Sequence, residues 1–239
     1  MKIKTTTTII VSLIISSFIH CTGAKETMRS SEPAIAERVI ASIDNFGPVL
    51  SPAPSVLSSR DIADLKQKVS NLPLPTIEKG EYAVLETSMG FIVFELLTDA
   101  APSHCAHFKK LANSGFYDWI TFHRVIPGYL IQTGSITSRN SEPRDDGTGS
   151  PGYTINAEIS DLKHERGIVS MARQQNINSA GSQFFILLSR ASQLDGEYTI
   201  FGRVLQGMDI VRRIVRVDTD DRDRPVKNVY LKRARVVKP

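Results

Sequence analysis

Short apolar runs separated by turn residues fill the chain from Glu81 to its C-terminus, and this pattern is typical of β-strands. The first two runs are separated only by Ser88, Met89 and Gly90, which predicts a β-hairpin. The pattern therefore indicates a mainly β domain. Eight strands are predicted, at residues 82–87, 91–97, 121–125, 129–133, 167–171, 183–188, 199–204 and 227–238.

Two helices interrupt the predicted strands. Pro102 can begin a helix because the first helical position needs no N–H donor, and Gly115 can end it. A second helix is predicted at residues 208–215, directly after Gly207. Eight strands and two helices in a segment of this length favour a closed antiparallel barrel, because closure leaves no exposed edge strand.

The pattern before the first strand is helical. Apolar residues recur at helical spacing, at Ile35, Val39, Ile40 and Ile43. A segment rich in proline and serine, 48–55, separates this helix from a second one. Ser58 and Asp61 have the spacing of a capping box, and the second helix is predicted to end near Asn71. We interpret residues 25–80 as a helical extension and linker.

The first residues of the chain have the features of a secretory signal. Lys2 and Lys4 precede an apolar run over residues 9–19, which is shorter than the roughly 20 residues of a membrane-spanning helix. The run fits the hydrophobic region of a signal peptide, so residues 1–24 are predicted to be one. The protein is therefore expected outside the cytoplasm, in the periplasm or anchored to a membrane.

Two processing outcomes remain open at this signal. Cleavage after Ala24 would discard Cys21, whereas cleavage before Cys21 would let that cysteine carry a lipid. Phe18 and His20, which precede Cys21, are larger than the residues typical of bacterial lipoprotein signals. Lipidation at Cys21 and removal of Cys21 are both kept as outcomes.

Charge and cysteine content argue against several functions. The net charge is +4, and much of it lies in segment 227–238, where basic residues interleave with apolar ones. No aromatic RNA-binding motif accompanies this segment, so it predicts a strand with a basic surface and no nucleic-acid site. Two cysteines, Cys21 and Cys105, cannot build a disulfide framework. His104 and His107 share a helix face, but without an obvious third ligand they are not assigned to a metal.

One segment carries a motif. The residues from Phe122 to Gln132, FHRVIPGYLIQ, resemble the signature of the cyclophilin family of peptidyl-prolyl cis-trans isomerases. Over residues 81–239 the resemblance implies a closed, eight-stranded, antiparallel cyclophilin-like barrel capped by two helices. Further segments resemble family motifs in the family's order: Gly147-Thr148-Gly149, Ser170-Met171-Ala172, Gly181-Ser182-Gln183-Phe184-Phe185, Leu194-Asp195-Gly196 and Phe201-Gly202-Arg203-Val204.

The resemblance implies an enzyme that rotates X-Pro bonds in proline-containing polypeptides without metal or cofactor, and so assists the folding of extracytoplasmic proteins. This rotation is slow because twisting destroys the resonance of the bond, at a barrier of about 18–20 kcal/mol. A rigid, permanently charged guanidinium is suited to donate to the proline nitrogen, whose lone pair is freed in the twisted state. By its position in the motif, Arg124 takes this role.

The other site residues follow from the same motifs. With Arg124, Gln132 and Phe185 form the catalytic set. Gln132 and Gln183 are expected to orient Arg124 and the substrate carbonyl. Phe184 and Phe185 are adjacent in a strand and face opposite sides, so one belongs to the core and one to the pocket. The resemblance assigns substrate binding to Tyr129, Leu130, Gly147, Ala172, Arg173, Gln183, Leu194 and Tyr198.

Some positions depart from the family pattern. Gln193 stands where many eukaryotic members have a tryptophan that contacts cyclosporin, and Tyr198 replaces the usual pocket histidine, so only weak cyclosporin binding is expected. Arg173 stands where eukaryotic members often have asparagine, and in this the chain looks more like bacterial relatives. Ser135 replaces a common aspartate. His123, a lone histidine inside the motif, is interpreted as structural.

Two other functions remain open at this stage. The fold could carry a non-catalytic proline-binding or chaperone module, since one fold hosts several functions. Alternatively, the extension at residues 25–80 could serve adhesion or another surface interaction. The intact set of Arg124, Gln132 and Phe185 favours the enzyme.

Overall fold

The computed structural model describes residues 34–42 and 56–239. Its helices are α1 (34–41), α2 (Ser59–Asn71), α3 (Pro102–Asn113) and α4 (Met208–Ile214). Its strands are β1 (Tyr82–Thr87), β2 (Gly90–Leu96), β3 (Ile120–Thr121), β4 (Arg124–Ile126), β5 (Leu130–Thr133), β6 (Ile168–Met171), β7 (Phe184–Leu187), β8 (Ile200–Gln206) and β9 (Tyr230–Val237). Short 3-10 helices lie at Ile136–Arg139, Pro143–Asp145 and Ser192–Leu194.

The strands form one antiparallel sheet in the order β3-β9-β1-β2-β8-β6-β7-β5-β4. The sheet curls, and its two end strands, β3 and β4, are neighbours in the chain, separated only by Phe122 and His123. The mainly β antiparallel architecture predicted from the sequence is confirmed, and the predicted strand and helix positions agree with the structure to within a few residues.

The prediction of a closed eight-stranded barrel was wrong in detail, because the sheet in the described part of the chain has nine strands. The predicted strand at 121–125 is divided, since β3 pairs with β9 whereas β4 pairs with β5. Phe122 N–H donates to Val229 O (2.9 Å), and Val125 N–H donates to Asp223 O (2.7 Å) in the loop before β9. The backbone thus changes partners within this segment, and one continuous ladder is interrupted.

Aromatic rings form the centre of the main core. Phe108 on α3 lies with its ring centroid 5.4 Å from those of Phe94, Tyr117 and Phe184, and 5.5 Å from that of Phe201. All five rings are buried, and several meet edge to face, an arrangement that adds to the free energy of burial. α3 also packs against β8 and β9, and α4 packs against β2. The cluster therefore ties α3 to the strands of the sheet.

α1 contributes to a separate apolar cluster on the other face of the sheet. Side chains alternate along a strand, so Val84 points away from the main core that its neighbours Ala83 and Leu85 enter. Burial of these apolar side chains holds α1 on the sheet. The buried members of the outer cluster are Val84, Ala36, Val39, Val93 and Val237.

The capping box predicted before α2 is confirmed. Asp61 N–H donates to Ser58 Oγ (3.2 Å), and Ser58 N–H donates to the Asp61 carboxylate (2.8 Å). The inner side of α2 places Ile62 and Val69 in the main core. Both reciprocal bonds satisfy N–H groups that a helix start otherwise leaves without partners.

None of the helices within residues 34–42 and 56–239 is long and apolar enough to cross a membrane. The predicted signal at residues 1–24, with its two processing positions Ala24 and Cys21, lies outside the described residues. Ile43 and the predicted linker at 48–55 also lie outside them.

Candidate active site

A row of side chains crosses four neighbouring strands. Arg124 on β4 is opposite Gln132 on β5, Gln132 is opposite Phe185 on β7, and Phe185 is opposite Ser170 on β6. Directly opposed residues in an antiparallel sheet project on the same face. The register therefore brings the three residues predicted as the catalytic set onto one face, in order across the sheet.

This face lies opposite the aromatic core. On β7, Phe184 belongs to the main core. Phe185 belongs, together with Leu130, to a third apolar cluster that is distinct from both the main core and the outer cluster. This division confirms that the two phenylalanines lie in different clusters, with Phe184 in the main core, whereas the assignment of Phe185 to a substrate pocket stays a prediction. This third cluster contains five of the residues predicted to bind substrate: Tyr129, Leu130, Ala172, Leu194 and Tyr198.

Phe185 is a buried member of this third cluster, which is the candidate apolar pocket of the site. Only 4% of its surface is exposed, and its ring meets that of Tyr198 edge to face, with centroids 6.0 Å apart. Leu130 is also 4% exposed. An apolar surface of this kind is suited to contact with a small aliphatic ring.

Two glutamines link the pocket to a neighbouring loop. The side-chain amide of Gln132 donates to Gln183 Oε1 (3.0 Å), and Gln183 Nε2 donates in turn to the carbonyls of Gly147 (2.7 Å) and Gly149 (3.0 Å). The two glutamines line a polar cavity of about 190 Å³, together with Gly147, Ala172 and Arg173. The predicted binding residues therefore divide between the apolar cluster around Phe185 and this polar cavity, with Ala172 in both.

Gly147 cannot be replaced without disturbing this arrangement. Its φ of +87° lies in the left-handed region, and a Cβ there would lie 3.1 Å from His123 Cδ2. His123 is buried and packs behind Gly147. The interpretation of His123 as a structural residue agrees with this packing.

Arg124 lies at the exposed end of the row. Its side chain is 46% exposed, and its Nε lies 3.6 Å from Asp223 Oδ2. Gln132 stands directly opposite it in the ladder and directs its own amide N–H toward Gln183. The guanidinium is therefore open to solvent beside the apolar pocket.

The residues that depart from the family pattern contact other residues of the site. The Arg173 guanidinium lies over the Tyr198 ring, 4.6 Å from its centroid, and Arg173 Nη2 pairs with Glu197 Oε2 at 2.9 Å. Gln193 Nε2 donates to the hydroxyl of Tyr129 (2.9 Å). Arg173 and Tyr198 therefore support one another at one side of the pocket, and Gln193 and Tyr129 do so at another.

A polar network behind the pocket was missed by the sequence analysis. The buried His164 lies 3.1 Å through Nε2 from Ser170 Oγ and 3.2 Å through Nδ1 from Asp195 Oδ1. Ser170 belongs to the cross-strand row, and Asp195 follows Leu194 in the sequence. Arg190 bonds to the Asp195 carboxylate and lowers the pKa of that group. The motifs containing Ser170 and Asp195 were recognised, but no pattern marked His164.

The two histidines on α3 have different partners. His104 Nδ1 bonds to Glu158 (2.6 Å), whereas His107 Nε2–H donates to the carbonyl of Gly181 (2.7 Å). In residues 34–42 and 56–239, no three His, Cys, Asp or Glu side chains are grouped so that they could hold a metal ion. Both histidines take part in the packing of the domain.

Comparison with known proteins gives a consistent result. The model of the family "Cyclophilin type peptidyl-prolyl cis-trans isomerase/CLD" matches residues 82–236. A peptidyl-prolyl cis-trans isomerase-like 1 of Emericella nidulans is 44% identical over 159 residues, which are 64% of this chain and 92% of that protein. A probable peptidyl-prolyl cis-trans isomerase of Brucella suis is 44% identical over 136 residues, which are 55% of this chain and 69% of that protein.

Solved structures agree. A crystal structure of a cyclophilin-type peptidyl-prolyl cis-trans isomerase from Cryptosporidium parvum has a TM-score of 0.61 and 32% identity, and the match covers 66% of this chain and 98% of that one. The same protein in the presence of the dipeptide Ala-Pro matches with the same score, covering 66% of this chain and 99% of that one. The likeness thus extends over nearly the whole of the solved protein.

His107, one of the two buried histidines on α3, predicts a dependence of stability on pH. Burial lowers the pKa of His107 from 6.5 to about 4, so the unfolded chain binds a proton at a pH where the folded chain does not. The contribution of His107 to the free energy of unfolding is therefore fully present above pH 6.5 and is lost as the pH falls toward 4. We expect His107→Gln, which keeps a donor for Gly181, to reduce the slope of unfolding free energy against pH by about 1 kcal/mol per pH unit in this range.

Urea unfolding of the wild type and of His107→Gln at several pH values measures the slope of unfolding free energy against pH. Burial also lowers the pKa of His123 to about 4, so the variant should keep part of the pH dependence. Parallel curves for the wild type and His107→Gln would contradict the prediction.

Proposed function

The chain belongs to the family of cyclophilin-type peptidyl-prolyl cis-trans isomerases, and on that premise we propose that the cross-strand row of Arg124, Gln132 and Phe185 is its active site. The observation that carries this proposal is the register itself, which sets a cation, an amide and an apolar floor side by side on one face. The family is an enzyme class that needs no cofactor, and its members catalyse rotation about X-Pro bonds.

The apolar cluster around Phe185 is the proposed pocket for the proline ring of the substrate. Phe185, Leu130 and Leu194 offer apolar surface to the ring, and its transfer from water supplies binding free energy. The match to a relative solved in the presence of Ala-Pro, an X-Pro dipeptide, supports proline-containing peptides as substrates. Gln183 and the loop at Gly147–Gly149 adjoin this pocket and contact the substrate backbone.

Arg124 lowers the barrier by binding the twisted state better than the planar one. In the planar peptide the proline nitrogen shares its lone pair with the carbonyl, so it is a poor hydrogen-bond acceptor. Twisting the bond localises that lone pair, and a guanidinium N–H beside it then donates a stronger hydrogen bond. A contact made only in the twisted state raises the rate of rotation. Because Arg124 is open to solvent beside the pocket, its donors are accessible to a bound substrate.

Replacing Arg124 tests this assignment. We expect Arg124→Ala to lower kcat/KM for an X-Pro peptide about 100-fold, as for removal of a donor that acts in the transition state. Its thermal midpoint should change little, because the side chain is 46% exposed. Arg212→Ala, which alters an exposed arginine on α4, is the matched control. The assay is isomerisation of a proline peptide with and without a chelator.

Full activity of Arg124→Ala would remove Arg124 from the centre of the mechanism. Loss of wild-type activity in the chelator would contradict a cofactor-independent reaction. A wild type that binds proline peptides without accelerating their isomerisation would favour the non-catalytic module.

Cyclosporin binding is proposed to be weak, whereas catalysis is retained. The apolar floor at Phe185 and Leu130 is present for proline. At the position of the family's tryptophan, Gln193 supplies an amide without a broad ring, and that amide is bonded to the Tyr129 hydroxyl. Loss of an aromatic contact at a binding surface commonly costs about 2 kcal/mol or more, a factor of about 30 in affinity.

Introducing the aromatic ring should increase sensitivity to the drug. We expect Gln193→Trp to lower the cyclosporin concentration for half inhibition about 30-fold, with little change in the uninhibited rate. Inhibition titrations of the wild type and the variant measure this ratio. Half inhibition of the wild type at low nanomolar drug would show that Gln193 does not limit binding.

An extracytoplasmic location is the remaining part of the proposed function. Support comes from the sequence of residues 1–24, where Lys2 and Lys4 precede the apolar run at 9–19. Residues 25–80 would then act as a spacer or docking segment before the catalytic domain at 81–239. The clients would be unfolded proteins outside the cytoplasm.

Mass spectrometry of the mature N-terminus checks the location. We expect a chain that begins after Ala24, or a lipidated chain that begins at Cys21, in an extracytoplasmic fraction. In the lipidated case, Cys21→Ser should release the protein from the membrane without altering peptide isomerisation. A cytoplasmic protein that retains Met1 would refute the signal.

A further inference from the structure

The guanidinium of Arg124 faces a carboxylate on its Nε side. Asp223 Oδ2 lies 3.6 Å from Arg124 Nε, and the two side chains are 44% and 46% exposed. An arginine has donors at Nε and at both terminal nitrogens. A partner at the Nε side leaves the terminal nitrogens available for a substrate.

Asp223 holds an uncommon backbone conformation. Its φ is +62°, and in the described segments Trp119 is the one other non-glycine residue with a positive φ. L-amino acids seldom adopt this region, and such residues persist where surrounding structure enforces them. Here Val125 N–H donates to Asp223 O (2.7 Å), so Asp223 is fastened directly to the strand that carries Arg124.

The loop around Asp223 is fixed by a second aspartate. The Asp220 carboxylate accepts hydrogen bonds from the backbone N–H groups of Arg222 (2.9 Å) and Arg224 (3.0 Å). The Arg224 side chain pairs with Asp220 at 3.3 Å and with Asp146 at 3.6 Å. Asp223 therefore projects from a loop that is anchored on both sides of it.

We propose that Asp223 is a positioning residue for Arg124, on which the rate of isomerisation depends. Its carboxylate attracts the Nε side of the guanidinium and keeps the long side chain over the cross-strand row, with the terminal nitrogens toward the proline pocket. The inference rests on the proposed catalytic role of Arg124. An attraction between two half-exposed charges is weak and is screened by salt, so the effect lies in orientation more than in binding.

Two variants distinguish an effect on the orientation of Arg124 from an effect on the structure of the loop that carries Asp223. Asp223→Asn removes the charge and keeps a side chain that tolerates positive φ. Asp223→Gly removes the carboxylate together with the backbone strain. We expect both to lower kcat/KM about 5- to 10-fold, chiefly through kcat, while the thermal midpoint of Asp223→Gly is unchanged or higher. The control is Asp221→Asn, an exposed aspartate in the same loop, which should retain wild-type kinetics.

Coupling to Arg124 is the decisive readout. In an Arg124→Ala background, Asp223→Asn should cause no further loss, since the group that it positions is absent. A full additional loss in that background would overturn the inference, as would a fall in both activity and thermal midpoint in Asp223→Gly. If Arg124→Ala is impaired and Asp223→Asn is not, the inference about Asp223 is wrong and the proposed active site stands. If Arg124→Ala is fully active, both the inference about Asp223 and the proposed active site are wrong.

Discussion

The alternation of side chains along β7 is the constraint on which the other parts of the structure depend. Phe184 enters the aromatic core, and Phe185, one residue later, lies in the proposed proline pocket on the opposite face. A shift of register by one residue would exchange the two and destroy core and pocket together. The packing of the core and the proposed substrate pocket therefore depend on the same strand, whose register also places Gln132 on β5 and Ser170 on β6 beside Phe185.

Much of the fold and the apolar half of the site could be predicted from the sequence, because both depend on local periodicity and on motifs. The hairpin at β1 and β2, the capping box at Ser58 and the two faces of β7 are of this kind. The division between β3 and β4 could not be predicted, since it depends on hydrogen bonds from Phe122 to Val229 and from Val125 to Asp223, residues that are far apart in the sequence. His164 and Asp223 were missed for the same reason: their partners are set by tertiary structure.

The unusual residues around the pocket form contacting pairs. Arg173 and Tyr198 stack, and Gln193 bonds to Tyr129. A substitution at one member of such a pair leaves its neighbour without support, so the effects of single changes here are expected to be non-additive. The two pairs are therefore expected to respond to substitution as two coupled units beside the cluster that contains Phe185.

The main core also contains a buried thiol, that of Cys105, whose reactivity depends on opening of the domain. Cys105 on α3 is fully buried, its Sγ donates to Phe201 O (3.4 Å), and burial raises its pKa to about 12. Only thiolates react readily with alkylating reagents, so this sulfur is shielded both by its protonation and by its surroundings. Alkylation of Cys105 therefore requires the chain to open around the aromatic cluster. The rate of that reaction would report the opening of the domain under native conditions, through a residue that the chain already contains.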